Sequence, residues 1–139
     1  MAKKRLITEH WTEEPEEHDF PAATNYLSLV VPEPVAASAV ADLRVAETTY
    51  RKAKDLMRAS RLPLLPADNV HVAKDLKKVA RGERLSPVLL VRGSAKNGVP
   101  LIVADGYHRV CASYHLDEDA DIPCRIVDLP GAAGRVRSV

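Results

Sequence analysis

The sequence predicts a small α+β domain in which a mixed sheet is flanked by helices. Apolar residues recur every three or four positions over 35–57 and 70–84, as they do in amphipathic helices. Short apolar runs at 86–93, 101–105 and 122–129 have the length and composition of strands. Helices and strands are therefore interleaved along a chain of 139 residues, which is long enough for one core.

Both ends of the chain differ in composition from this region. Residues 1–24 are polar and acidic, contain prolines and have no sustained hydrophobic period. We expect them to form a flexible acidic arm, anchored by Trp11 or Phe20. Residues 131–139 are predicted to be a loose tail, which leaves residues 25–130 as a single domain.

Composition also narrows the class of protein. No apolar run has the length of a membrane span or the setting of a signal peptide, so we expect a soluble, cytoplasmic protein with no membrane partner. Cys111 and Cys124 do not make a disulfide framework, and we expect reduced thiols.

Residues 51–84 carry ten basic and four acidic side chains. A solvated helix surface is the ordinary explanation, and a surface for nucleic acid or phosphate is the alternative.

The first elements of the domain are predicted to be a short strand and a long helix. The run NYLSLVV (25–31) has the composition of a strand, and Pro32 and Pro34 would end it. The apolar period over 35–57 then predicts one continuous helix. This long helix is an addition that precedes the rest of the fold.

The second helix is predicted over 70–84. Asp68 or Asn69 can cap its first turn, Gly82 lies near its end, and His71 is expected at the surface. The basic side chains off its apolar stripe are Lys74, Lys77, Lys78 and Arg81. We interpret them as a solvated surface, with an anion-facing stripe as the alternative.

The strands at 86–93 and 101–105 are predicted to pair as an antiparallel hairpin. Asn97-Gly98 between them is the strongest short signal for a hairpin turn. A helix is then expected from Gly106 to about Leu116, and 122–129 would supply the last strand.

The junction before this helix carries the candidate site. A strand that passes directly into a helix leaves backbone N–H groups free at the positive end of the helix dipole. Gly106 allows close approach of a ligand, Arg109 supplies a planar cationic fork and His108 is a titratable donor. We predict that Gly106, Tyr107, His108 and Arg109 bind a phosphate, with Tyr107 either stacking on a base or covering the corner.

Asp105, at the same junction, has two interpretations. It can be the cap of the helix, accepting from the N–H of residue 107 or 108. Alternatively, it holds Mg²⁺ beside a phosphate. Asp105 and His108 are the candidate catalytic residues, as an acid/base pair in phosphoryl transfer. We expect no metal site at Cys111, because four converging ligands are not indicated and a buried packing role suffices.

Three segments, LSPVLLVRG, GVPLIVADGYHRVCASYHL and ADIPCRIVDL, together resemble the ParB/sulfiredoxin superfamily. The recurring pattern of that superfamily is a strand, a hairpin, a strand that ends in a Gly-containing turn, a helix and a further strand. Residues 105–109 match its D-G-x-H-R variant at every fixed position, whereas sulfiredoxins have G-C-H-R there. The resemblance covers roughly residues 65–129 and does not explain the acidic arm or the long helix.

The resemblance implies nucleotide binding at residues 105–109, with ATP or CTP and Mg²⁺ as the expected ligands. Sulfiredoxin activity is not expected, because Tyr107 stands where that enzyme has its catalytic cysteine. A complete ParB partition protein is not expected either, since ten residues follow Leu129.

Three functions are therefore predicted, in order of preference. The first is a nucleotide- or phosphate-binding domain with little or no enzymatic activity. The second is a Mg²⁺-dependent phosphotransferase or nucleotide hydrolase that uses Asp105 and His108. The third is a module that binds DNA or RNA through the basic region 51–84, although aromatic residues are not interleaved there.

Overall fold

The computed structural model describes residues 8–130. In chain order its elements are β1 (His10–Trp11), α1 (Asp19–Leu27), α2 (Glu33–Val45), β2 (Thr49–Lys52), α3 (Ala53–Ser60), α4 (Val70–Ala80), β3 (Arg84–Leu85), β4 (Val88–Val91), β5 (Ile102–Asp105), α5 (Tyr107–Leu116) and β6 (Asp121–Val127). The predicted α+β class, with a mixed sheet and flanking helices, is confirmed. The predicted tail at 131–139 and the first seven residues of the predicted arm lie outside the described residues.

Four strands form the main sheet, in the order β2-β6-β4-β5. β6 runs parallel to β4, whereas β2 and β5 are the antiparallel strands at the two edges. A separate parallel pair joins β1 to β3. The carboxyl ends of β4 and β6 therefore lie at one end of the sheet, and the carboxyl end of β5 lies at the other.

Both faces of this sheet are covered by helices. Val88 and Leu90 of β4 pack in a core with α3, α4 and α5. Leu89 and Val91 of the same strand point the other way and pack with α1 and α2. All four side chains are fully buried, which explains why the strand is continuously apolar rather than alternating. Each buried leucine or valine of this kind contributes about 1.5–3 kcal/mol to stability.

The N-terminal region differs from the prediction. The run NYLSLVV is not a strand, because its first residues end α1 and residues 28–31 form turns. Residues 19–24, expected to belong to a loose arm, form the first part of α1. Phe20, Ala23 and Leu27 are buried at helical spacing, so the helical period crosses the boundary drawn at residue 24. The expected anchoring role of Phe20 agrees with its burial.

The predicted helix over 35–57 is also wrong as a single element. α2 ends at Val45, β2 pairs with β6 at the sheet edge, and α3 begins at Ala53. The buried Arg125 of β6 donates hydrogen bonds to the carbonyls of Leu43 (3.1 Å) and Arg44 (2.8 Å). These bonds satisfy carbonyl groups that the end of a helix leaves free. A contact with a distant strand thus ends a helix that the hydrophobic period would continue.

The C-terminal half agrees closely with the prediction. Of the two candidate caps of α4, Asn69 is the one used, and its side chain accepts from the N–H groups of His71 and Val72. Gly82 follows this helix with φ +77°, but the last predicted turn is replaced by β3. β4 and β5 form the expected hairpin, with Gly98 at φ +71°, and β6 is the expected last strand. Among the helices of residues 8–130, none is long and apolar enough to cross a membrane.

Candidate functional site

β5 passes into α5 through a single residue, Gly106, as the sequence predicts. Its φ of +111° lies in the left-handed region that favours glycine. A Cβ at this position would lie 2.4 Å from Cγ1 of Val88, so the space also requires glycine. Among residues 8–130 no side chain caps α5, and the first N–H groups of this helix are left for solvent or a ligand.

A cavity of about 210 Å³ adjoins this junction, and we call it the turn cavity. Its lining residues come from β5, α5 and one face of α4, and they are His71, Lys74, Asp75, Lys78, Asp105, Gly106, His108 and Arg109. Four of the five residues of the predicted turn are therefore brought together here. The four side chains from α4 are spaced as neighbours on one helix face. Sequence reasoning had not assigned Asp75 to the site.

Tyr107 is not part of the lining of the turn cavity. Its hydroxyl donates a hydrogen bond to the carbonyl of Pro63, and its ring packs against the core beneath α5. His115, two turns further on, places Nε2 2.7 Å from the carbonyl oxygen of Leu65. Both contacts join α5 to the proline-bearing segment 61–69. Tyr107 thus holds α5 in place, and a ligand contact by Tyr107 stays a prediction.

Arg109 is held between two carboxylates. Its Nη2 donates to Oδ2 of Asp105 at 2.9 Å, and its Nη1 lies 3.9 Å from Oδ1 of Asp19. The interpretation of Asp105 as the helix cap is wrong, because Gly106 occupies that position and the carboxylate pairs with Arg109 instead. These carboxylates orient the guanidinium and offset part of its charge.

Asp19 is a residue that sequence reasoning missed. It is buried, and its Oδ2 accepts hydrogen bonds from Oγ of Ser86 (2.8 Å) and the N–H of Glu16 (3.0 Å). Its other oxygen faces Arg109. The helical period beginning at Phe20 could have placed Asp19 in a first helical turn. No local signal could have placed it beside Arg109.

Burial disfavours charge on three groups of the turn cavity. It raises the pKa of Asp105, against the attraction of Arg109 and together with repulsion from Asp19. Burial also raises the pKa of Asp75, although nearby cations oppose the shift. For His108, burial and the neighbouring His71 lower the pKa, while Asp75 opposes this.

The turn cavity has a small excess of positive charge. Lys74, Lys78 and Arg109 are cationic and two carboxylates oppose them, so the lining has a net charge of +1 when both histidines are neutral. The rings of His71 and His108 lie 4.7 Å apart between centroids. Protonation of His108 adds a positive charge and makes the cavity more attractive to anions.

Basic side chains of region 51–84 line two different cavities. Lys74 and Lys78 border the turn cavity, so two of the four cations assigned to solvent have the geometry of the anion-facing alternative. Arg51 and Arg61 line a second cavity instead. DNA or RNA binding through this region stays a prediction.

Comparisons with protein-family models, with curated proteins and with solved structures found no match for this chain. The structure therefore establishes the α+β class, and the likeness to the ParB/sulfiredoxin superfamily stays a prediction.

Within residues 8–130, no group of three or more His, Cys, Asp or Glu side chains is arranged to hold a metal ion. Cys111 and Cys124 are free thiols buried in the core beneath α5.

Proposed function

We propose that this protein is a phosphate-binding domain that takes a nucleotide, or another small phosphorylated ligand, in the turn cavity. The observation that carries the proposal is a coincidence of two features at one place. The uncapped N-terminus of α5 and three cationic side chains, Lys74, Lys78 and Arg109, border the same cavity. The match of residues 105–109 to D-G-x-H-R supports the same conclusion.

Each group has a distinct part in this binding. The first N–H groups of α5 donate to the phosphate at the positive end of the helix dipole, and Gly106 offers no Cβ to block its approach. Arg109 is a positioned donor whose charge is partly offset by Asp105 and Asp19. Lys74 and Lys78 therefore supply most of the net attraction.

Mg²⁺ is expected to strengthen this binding. The carboxylates of Asp75 and Asp105 border the cavity and repel a phosphate placed there. Mg²⁺ is commonly bound by one or two carboxylates together with the phosphates of the ligand. ATP or CTP with Mg²⁺ should therefore bind more tightly than either nucleotide alone.

Thermal unfolding of the full chain with ATP, CTP or GTP, each with and without Mg²⁺, tests the proposal. A ligand that binds the folded state at 100 times its Kd stabilises it by about 2.7 kcal/mol, which raises Tm by several degrees. Inorganic phosphate serves as the minimal ligand. An unchanged Tm with every nucleotide would reject the proposal.

Lysine variants locate the binding site. Lys74→Ala combined with Lys78→Ala should remove most of the nucleotide-induced shift in Tm, because both side chains border the cavity. Lys77→Ala is the matched control, since Lys77 is exposed on the same helix and lies outside the lining. Lys74→Ala alone should reduce the shift more than Lys77→Ala, and equal effects of these two single variants would show that the nucleotide responds to overall charge and not to this cavity.

Nucleotide hydrolysis or phosphotransfer is a second proposal for the same cavity. It is favoured by the position of Asp75, Asp105 and His108 around the place proposed for the phosphate. Release of phosphate or ADP by the protein should be lost in Asp105→Asn and His108→Ala. Release that persists in both variants would reject this proposal.

A further inference from the structure

A second cavity, of about 360 Å³, lies at the opposite end of the β4–β5 hairpin. We call it the arginine cleft, after Arg51, Arg61 and Arg92 in its lining. Its walls are α3 and the hairpin loop, and Arg92 directly follows the carboxyl end of β4. In open sheets, ligands commonly bind outside the carboxyl ends of parallel strands, and β4 and β6 are the parallel pair here.

The arginine cleft carries more positive than negative charge. Asp55 is the one carboxylate in a lining that holds three arginines, so the net charge of the lining is +2. Arg92 donates from Nε to Asp128 at 2.8 Å, which leaves the outer nitrogens of its guanidinium available. Within residues 8–130, no carboxylate lies within ion-pair distance of Arg51 or Arg61.

Beneath these charges the cleft has an apolar floor. Leu56 is buried in the core that α3, α4 and α5 form on one face of the sheet, and Leu101 and Ile126 are partly buried against this core. An apolar floor with a few polar groups at the rim is the usual composition of a small-molecule site, and the volume falls in the range of such sites. The combination suits a molecule with an apolar body and anionic groups.

The walls of the cleft are joined before any ligand arrives. The N–H of Leu101 donates to the carbonyl of Ala59 at 3.0 Å, which ties the hairpin to α3. A Cβ at Gly93 would lie 2.2 Å from the carbonyl oxygen of Val99, so the two arms of the loop are in close contact there. A cleft that is already formed loses little conformational entropy on binding.

Arg61 has an unusual backbone for its residue type. It ends α3 with φ 59°, and among residues 8–130 no other non-glycine residue has a positive φ. Glycine is the common residue at such a position. Arginine in its place brings a cationic side chain to the cleft, at a position where the backbone itself favours glycine.

We propose that the arginine cleft binds a small organic dianion, in which two negative charges are carried by an apolar or aromatic body. Guanidinium groups recognise phosphate monoesters and carboxylates by the same paired hydrogen bonds, so both classes share this chemistry. The cleft is separate from the turn cavity, and the proposal does not depend on nucleotide binding there.

Isothermal titration of the full chain with phenyl phosphate and with phthalate tests the proposal and distinguishes the two classes of anion. At least one of them should bind saturably at one site, about tenfold more tightly than inorganic phosphate, which lacks the apolar body. Benzyl alcohol, which lacks the charge, should not bind. Absence of saturable binding by both anions would overturn the proposal.

Variants assign the binding to the cleft. Arg61→Gly and Arg51→Ala should each weaken the binding about tenfold, because each removes a charge-assisted contact. Arg61→Gly also suits the backbone, so its unchanged circular dichroism would exclude a failure to fold. Arg58→Ala, on the exposed side of α3 and outside the lining, is the matched control.

Two further outcomes would also overturn the proposal. One is an equal loss of affinity in Arg58→Ala, which would indicate unspecific attraction to a basic surface. The other is a loss in Lys74→Ala with full binding in Arg61→Gly, which would place the anion in the turn cavity. Loss in the two cleft variants alone supports the proposal, whether or not the turn cavity binds nucleotides.

Discussion

The turn cavity and the arginine cleft lie at opposite ends of one hairpin and differ in how their charges are balanced. In the turn cavity, Arg109 is held by Asp105 and by the buried Asp19. In the arginine cleft, Arg92 pairs with Asp128, but neither Arg51 nor Arg61 has a carboxylate within ion-pair distance among residues 8–130. The charge of Arg109, in the charged turn 105–109, is therefore opposed by Asp105 of the same turn and by Asp19 of α1. Arg51, Arg61 and Arg92 lie far apart in the sequence, yet they give the lining of the arginine cleft a larger net positive charge than that of the turn cavity.

The largest expected effect is the removal of the paired arginine. Arg109→Ala leaves the buried Asp19 and the partly buried Asp105 without their cation, which should cost up to about 3 kcal/mol, the lower end of the cost of breaking a fully buried pair. Arg51→Ala removes an exposed arginine from the cleft and should change stability by less than about 0.5 kcal/mol. Urea unfolding of both variants measures this contrast. A similar, small change in both would show that Arg109 is not part of the structural framework.

The next effect concerns the glycine between β5 and α5. Gly106→Ala combines a positive φ with a clash against Val88, and should cost about 3 kcal/mol. Gly82→Ala has the same problem of φ, +77°, but a Cβ there would have no neighbour within 4 Å. It should cost about 1–2 kcal/mol. Equal losses in thermal unfolding would mean that Val88 moves aside, and that close packing does not require glycine at the junction.

A smaller effect is the pH dependence that His108 contributes at the turn cavity. Its pKa is lowered in the folded protein, so between the folded and unfolded values the unfolded chain binds more protons. The stability contributed by neutral His108 is present above the unfolded pKa and is lost as pH falls through the folded pKa. Subtracting the pH profile of His108→Gln from that of the wild type should leave this decrease below about pH 6.5. A flat difference would contradict it.

The same subtraction with Arg51→Ala supplies the comparison for the arginine cleft. Arginine stays charged throughout this range, so the difference between Arg51→Ala and the wild type should not depend on pH. A slope in the Arg51→Ala difference as well would mean that the pH dependence is not specific to the His108 variant.

The smallest effect is a gain. Arg61→Gly relieves a left-handed backbone at the end of α3 and should stabilise the fold by up to about 0.5 kcal/mol, because the greater freedom of glycine in the unfolded chain offsets part of the relief. The midpoint of urea unfolding measures the change. A loss of stability would show that the Arg61 side chain supports the fold and is not held there at a cost.

Elements with complete local signals were predictable. Asn69 caps α4, Asn97-Gly98 lies in the turn of the β4–β5 hairpin, and Gly106 begins the junction to α5, all within a few residues of the elements that they specify. The N-terminal half was not predictable in this way. β2 exists because it pairs with β6, and α2 ends where Arg125 reaches its last carbonyls.

The residues of the turn cavity likewise fall into a group that the sequence predicts and a group that only the packing of helices brings to the site. Gly106, His108 and Arg109 could be named from the sequence because one short turn carries them. Asp75, Lys74 and Lys78 reach the turn cavity only because α4 packs on α5. No local pattern states which helices pack together, since that depends on how the whole core is filled.

The sequence by itself determined the α+β class, the hairpin and the glycine junction, because hydrophobic period and turn chemistry act over a few residues. Only the tertiary structure decided which charges oppose one another. It set Asp19 against Arg109 from a helix far away in the chain, and it brought Arg51, Arg61 and Arg92 to one cleft from three separate segments. Electrostatic interaction depends on distance in space and on burial, and neither is a local property of a sequence.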